Sequence, residues 1–123
     1  MRLVQAGNGN IVAEEVLKAH TFFRRLKGLM FTKSLPSGFC LHIRPCRSVH
    51  TFFMKYTIDI LYLDAQYNII GVEANLKPGK LGTIYPNSVS VIELPEGTIQ
   101  QNDIQIGQAV RFEPSTKGER EAW

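Results

Sequence analysis

The stretch from Pro45 to Asp64, PCRSVHTFFMKYTIDILYLD, constrains the fold more than any other. It holds two dense apolar runs separated by a short polar break, Lys55-Tyr56-Thr57. The first run, Val49 to Met54, is rich in aromatic and β-branched residues, which suit a pleated, packed surface. Ile58 to Leu63 is apolar again, and Asp64-Ala65-Gln66-Tyr67-Asn68 closes it with turn formers. The expectation is a central hairpin of two strands. Alternation then places His50, Phe52 and Met54 on one face, and Thr51 and Phe53 on the other with Asp59 and Leu61. Both faces are largely apolar, so both strands belong inside a sheet covered on two sides. His50 and Asp59 are the anomalies, because a buried ionisable group needs a partner or a shifted pKa.

The remaining chain reads as short strands and turns. Arg2 to Gln5 is a first strand, and Ala6-Gly7-Asn8-Gly9-Asn10 is a turn whose Gly and Asn tolerate positive φ. Ile11 to Lys18 has helix propensity, yet its place directly after the turn favours a return strand. Thr21 caps a short helix over Phe22–Lys27, which Gly28 terminates. Phe39 to Ile43, Ile69 to Ala74, Val89 to Leu94 and Gly107 to Phe112 read as strands. Leu76 to Ser88 is a long surface connection of the kind that carries ligand contacts. Pro95-Glu96-Gly97 begins a turn or one helical turn ending at Gln101. The fold class is therefore mainly β: a compact β sandwich or partly closed barrel with one or two short helices.

At 123 residues the chain makes one domain, residues 1–113, followed by a polar tail, 114–123, expected to fray. The net charge of +3 is mild and scattered, with no basic stripe interleaved with exposed aromatics, so no nucleic-acid partner is expected. No apolar run reaches the length of a membrane span, and the first residues show no secretory signal. A cytoplasmic location is the expectation, with Cys40 and Cys46 as reduced thiols rather than a disulfide.

The segment C-x-S-V-H-T-F-F-M-x-x-x-I-D-I-L-x-L-D, Cys46 to Asp64, resembles the signature of the domain-of-unknown-function family 192, found in bacteria and archaea. Ala19-x-Thr21 with Arg25-x-x-Gly28-Leu29-Met30 resembles that family's first motif, and Glu93-Leu94-Pro95-x-Gly97 its third. Ile104-x-x-Gly107 followed by Val110 resembles its closing strand, so the likeness spans roughly residues 2 to 112. Thr57 stands where members often carry proline, and no N-terminal export signal of the kind many members have is visible. The resemblance implies a β-rich sandwich and no particular activity.

Four readings of the unusual side chains stay open. A ligand pocket would use the hydroxyl of Ser48, the imidazole of His50 and the guanidinium of Arg25, with Thr51 and Asp59 beside them. A soft-metal site would draw on Cys40, His42, Cys46, His50 and Met54, with Cys46 and His50 as the leading metal candidates, although no standard zinc spacing is present. A thiol or metal-dependent enzyme would use Cys46 as nucleophile, His50 as base and Asp59 to orient it. The fourth reading makes the same residues structural, with function on a partner surface. The expected function is a non-enzymatic small-ligand-binding or accessory domain whose partner is an unidentified small molecule or protein, with catalytic residues and cofactors unassigned.

Overall fold

The computed structural model describes residues 1–21, 24–25, 32–115 and 120–121, the last two by their backbone. Strands dominate: β1 (Arg2–Gln5), β2 (Ile11–Ala13), β3 (Glu15–Ala19), β4 (Phe39–Ile43), β5 (Ile58–Leu63), β6 (Ile69–Leu76), β7 (Ser90–Pro95), β8 (Val110–Glu113) and β9 (Arg120–Glu121). One short helix, α1 (Thr98–Gln101), follows β7. The strands form two sheets, a small one in the order β2-β1-β8 and a large one in the order β6-β5-β7-β4-β3-β9. The two sheets do not close into a barrel, and the sandwich expectation holds.

β5 is an interior strand of the large sheet, next to the edge strand β6 and paired on its other side with β7, and all six of its residues are buried. Its alternating side chains feed two separate cores. Leu61 and Leu63 join Val16, Cys40, Ile92 and Leu94 against Leu3, Ala13 and Val110 of the small sheet. Ile58, Ile60 and Tyr62 join Leu41, Ile43 and Val91 under a cover of irregular chain that supplies Val49 and Met54. The expected two-sided burial of Ile58–Leu63 is therefore observed. Each fully buried aliphatic side chain contributes about 1.5–3 kcal/mol relative to exposure.

The hairpin partner of β5 differs from the expected one. Val49–Met54 is not a strand; apart from an isolated bridge between His50 and Leu81 it is loop and turn. Both edges of β5 are occupied, by β7 through the pairs Ile58↔Pro95 to Leu63↔Ser90 and by β6 across the Asp64–Asn68 turn. With no free edge, an apolar run there is used as a lid over a sheet face. The face assignment of His50, Phe52 and Met54 falls with the strand: Met54 is buried, whereas Phe52 and Phe53 are exposed.

The other elements follow the sequence closely. The Ile11–Lys18 return is extended, broken once at Glu14 into β2 and β3. Thr21 accepts a hydrogen bond at Oγ1 from the backbone N–H of Arg24 (3.2 Å), as a helix cap does, and Arg24 and Arg25 are helical. The rest of the expected helix over Phe22–Lys27, with Gly28, Leu29 and Met30, lies outside the described residues. In the tail, Arg120 and Glu121 form β9 and pair in parallel with Leu17 and Lys18, where a frayed end was expected. The sheet edge at β3 supplies the backbone partners that a free tail lacks.

Asp59 is the polar joint of the first core. Its carboxylate accepts the backbone N–H of Asn75 at Oδ1 (2.9 Å) and that of Ile99, in the first turn of α1, at Oδ2 (2.9 Å). Asn75 has a positive φ of 60°, so the carboxylate also holds a rarely populated backbone conformation at the end of β6. Replacing Asp59 by Ala leaves two N–H groups without their acceptor and is expected to cost about 2–4 kcal/mol, read as a lower urea midpoint at unchanged slope.

Candidate functional site

Two regions gather polar chemistry, one on each side of the large sheet. On the outer side, the loops 44–57 and 77–89 are laced together by backbone bonds. Thr51 N–H donates to the Lys80 carbonyl (2.8 Å), Gly79 N–H to the Thr51 carbonyl (2.9 Å), Gly82 N–H to the Val49 carbonyl (2.8 Å) and Tyr85 N–H to the Arg47 carbonyl (2.9 Å). Thr51, fully buried, is the pin: Oγ1 donates to the Lys77 carbonyl (2.6 Å) and accepts the Lys80 N–H (2.8 Å). Gly82 fits here because a Cβ would stand 2.8 Å from Tyr62 Oη and 2.9 Å from Glu73 Oε1, whose short hydrogen bond (2.5 Å) lies directly beneath.

The side chains expected to bind a ligand have internal partners in this region. Arg25 Nη1 donates to the Pro45 carbonyl (3.3 Å), and Ser48 Oγ to the Gly82 carbonyl (3.4 Å). The Cys46 thiol donates to the Ser48 carbonyl (2.9 Å), and burial raises its pKa. His50 Nδ1 accepts the Phe52 N–H (3.2 Å), and its ring stacks on Phe52 with centroids 5.1 Å apart. Arg25, Cys46 and Ser48 thus adjoin one another through the chain at Pro45–Ser48. Asp59 belongs to the opposite core and meets none of them, so the Cys46–His50–Asp59 arrangement is not assembled.

The soft-metal set is divided in the same way. Cys40 lies in the core between the sheets, with its thiol pKa raised far by burial, whereas Cys46 and Met54 lie on the outer side. Among the described residues no group of three or more His, Cys, Asp or Glu is placed to hold a metal ion.

Sequence reasoning passed over Glu93, which sits on the β7 face shared with Val91 and is 4% exposed. Its Oε2 is buried without a hydrogen-bond partner, and burial raises its pKa from 4.5 to about 8. The signal was legible in the motif Glu93-Leu94-Pro95: a lone acid inside an apolar strand.

The second region opens between the two sheets. A cleft of about 420 Å³ is lined by Met1, Val16, Lys18, His20, His42, Arg44, Tyr67, Arg111 and Phe112. β3 and β4 run in parallel and register Lys18 beside His42, so alternate residues of both strands face the small sheet. His42 is 4% exposed and lies between rings, with Phe112 centred 4.7 Å away and Tyr67 6.3 Å away. Its Nδ1 is 3.0 Å from His20 Nε2, and its Nε2 is buried without a partner. Burial first, then the charges of His20, Arg44 and Lys18, lower its pKa from 6.5 to about 3. Among the described residues the ionisable side chains of this lining are Lys18, His20, His42, Arg44, Tyr67 and Arg111, with no carboxylate among them. Arg111 Nε pairs with Glu113 at 2.6 Å, which offsets part of its charge. A second, smaller hollow of about 140 Å³ lies by the turn at Gln5, Gly7 and Asn8.

The two buried titrating groups act on stability in opposite senses. Glu93 has a folded pKa of about 8 against an ordinary 4.5, so its unfolded form ionises first as pH rises. Stability associated with Glu93 is complete below about pH 4.5 and is lost progressively up to about pH 8. His42, lowered from 6.5 to about 3, costs stability as pH falls through that window. Glu93→Gln is therefore expected to unfold at higher urea than the parent near about pH 8 and to differ little near about pH 4, the gap growing by at most about 1.4 kcal/mol per pH unit between them.

The chain is similar to proteins from both archaea and bacteria. It is 31% identical over 101 residues to UPF0127 protein PH1112 of Pyrococcus horikoshii, covering 80% of this chain and 87% of that one. It is 29% identical over 119 residues to a UPF0127 protein of Thermococcus sibiricus, covering 90% of this chain and 74% of that one. A crystal structure of a protein of unknown function from Novosphingobium aromaticivorans superposes with a TM-score of 0.80 at 18% identity, covering 91% of this chain and 84% of that one, and shares the fold. Residues 3–112 match the family DUF192, described as Uncharacterized ACR. That match takes in the loop motif and all of β1 to β8 but their terminal residues Arg2 and Glu113, and the chain belongs to the DUF192 (UPF0127) family.

Proposed function

We propose that this protein is a non-enzymatic small-ligand-binding domain whose ligand enters the cleft between the sheets. The observation that carries this reading is a cleft of about 420 Å³ whose charged lining, among the described residues, is basic. A volume of that order suits a small organic molecule, and apolar walls with a few convergent polar groups are the usual make-up of such a site. Val16, Tyr67 and Phe112 supply the apolar walls, and Lys18, Arg44 and Arg111 supply positive charge. The ligand class is a small organic anion: a flat or apolar body bearing one carboxylate or phosphate.

His42 has a separate role in this reading. Held neutral by burial and neighbouring cations, it adds polarity without adding charge. Its unpartnered Nε2 carries a desolvation cost that a polar atom of the ligand would offset. Arg25, Ser48, His50, Thr51 and Asp59 then hold the loops and the helix rather than the ligand, which the internal bonds of Arg25, Ser48, Thr51 and Asp59 support.

Titration with 4-hydroxybenzoate and with phenyl phosphate, followed by thermal unfolding, tests the proposal. At least one probe is expected to raise the midpoint in proportion to the logarithm of its concentration. Arg44→Ser, at an exposed position, should leave the unliganded midpoint unchanged and weaken the probe by about tenfold, the worth of one charge-assisted hydrogen bond. His42→Phe should abolish the shift while keeping the ring packed. No shift with either probe at millimolar concentration would remove the support for a cleft ligand.

A further inference from the structure

The signature run from Cys46 to Met54 contributes no ligand group to the cleft, yet it is built with care. Just before its buried last residue, Met54, stand two adjacent exposed phenylalanines: Phe52 is 41% exposed and Phe53 68%. Phe53 holds a φ of 64°, a conformation that residues other than glycine rarely adopt. The partner loop presents Leu81 at 73% and Ile84 at 68% exposure. The bridge between His50 and Leu81 fixes the two tips side by side, and buried Thr51 locks both loops from below. Four of the six exposed large apolar side chains among the described residues therefore share one end of the molecule.

The charges carried by the two loops themselves have one sign, and the carboxylate beneath them, Glu73, is occupied by the Thr83 N–H and the Tyr62 hydroxyl. Residues 47–57 and 77–89 contain Arg47, Lys55, Lys77 and Lys80 and no Asp or Glu. All four cations are exposed. Contiguous exposed apolar groups mark interaction surfaces. Apolar tips ringed by lysine and arginine match an interface that is anionic at its surface and apolar behind it. A second copy of this chain would set cations against cations across a two-fold interface. An acidic protein partner would need a shaped pocket for each projecting side chain, whereas a lipid layer accepts them without shape matching.

We propose that the paired tips of the loops 49–53 and 80–84 dock this protein on an anionic lipid surface, inserting Phe53, Leu81 and Ile84 between headgroups that Lys55, Lys77 and Lys80 attract. This peripheral mode needs no spanning segment, and no helix among the described residues is long and apolar enough to cross a membrane. It is independent of the cleft, which lies on the other side of the large sheet.

Co-sedimentation with vesicles tests it, using phosphatidylglycerol mixed with phosphatidylcholine and phosphatidylcholine alone. The parent protein is expected to sediment with the anionic vesicles, not with the neutral ones, and to be released by salt. Each cation contributes about fivefold to partitioning, so Lys77→Glu with Lys80→Glu should reduce binding at least tenfold. Phe53→Ser with Leu81→Ser should do the same, and the exposure of all four positions keeps the thermal midpoint near that of the parent. No sedimentation with anionic vesicles overturns the proposal, as does binding that both double variants retain. Dimerisation lost in Phe53→Ser with Leu81→Ser, without vesicle binding, overturns it in favour of a second copy. Retention on a polyglutamate resin without vesicle binding overturns it in favour of an acidic protein.

Discussion

The large sheet is apolar on both faces, and the rest of the structure answers that constraint. β5 is buried along its whole length, and β7 nearly so. Neither face can meet water without a large hydrophobic cost. The small sheet covers one face and α1 packs with it. No second sheet is left for the other, so irregular chain does the covering, through Leu35, Val49, Met54 and Tyr85. An irregular cover brings backbone N–H and C=O groups that find no ladder. Their partners come from one another and from Thr51, Ser48 and Ser88, which is why those polar side chains sit among apolar ones.

The same constraint explains the two candidate regions. A sandwich of a six-stranded and a three-stranded sheet leaves part of the larger sheet uncovered by the smaller. Beyond the small sheet's edge, β3 and β4 expose the ends of their inner faces, and Lys18, His42 and Arg44 line the opening that results. On the outer side, loops fastened down at Thr51 must turn back at their tips. Those turns place Phe52, Phe53 and Leu81 away from the core. One side holds a cleft with basic side chains in its lining, and the other presents exposed apolar tips.

Local patterning made most of the fold legible, and the candidate site much less so. Phe39–Ile43 alternates and is β4; the Gly and Asn turn after Gln5 returns as β2; Asp64–Asn68 caps its own turn through the Asp64 carboxylate. Each of these rests on contacts within a few residues. Val49–Met54 failed because strand propensity says only that a segment suits a packed surface. Whether it pairs depends on a free strand edge, and the distant β6 and β7 had taken both edges of β5. His42 went unremarked as a cleft residue because its neighbours there, Tyr67, Arg111 and Phe112, are far from it in the chain. Glu93 was visible as an acid in an apolar strand, but its lack of a partner is a three-dimensional fact.

What the sequence determined by itself was therefore the set of elements, the two-sided burial of Ile58–Leu63 and membership of the motif family. These follow from side-chain periodicity and turn chemistry, which act between residues close in the chain. The tertiary structure decided which apolar run became a strand and which a lid. It also decided that Asp59 ties β5 to α1 rather than to His50, and that five basic residues from β3, β4, β8 and the chain beside them meet at one cleft. Those outcomes depend on competition for strand edges and on contacts between distant segments, and no local pattern records who wins that competition.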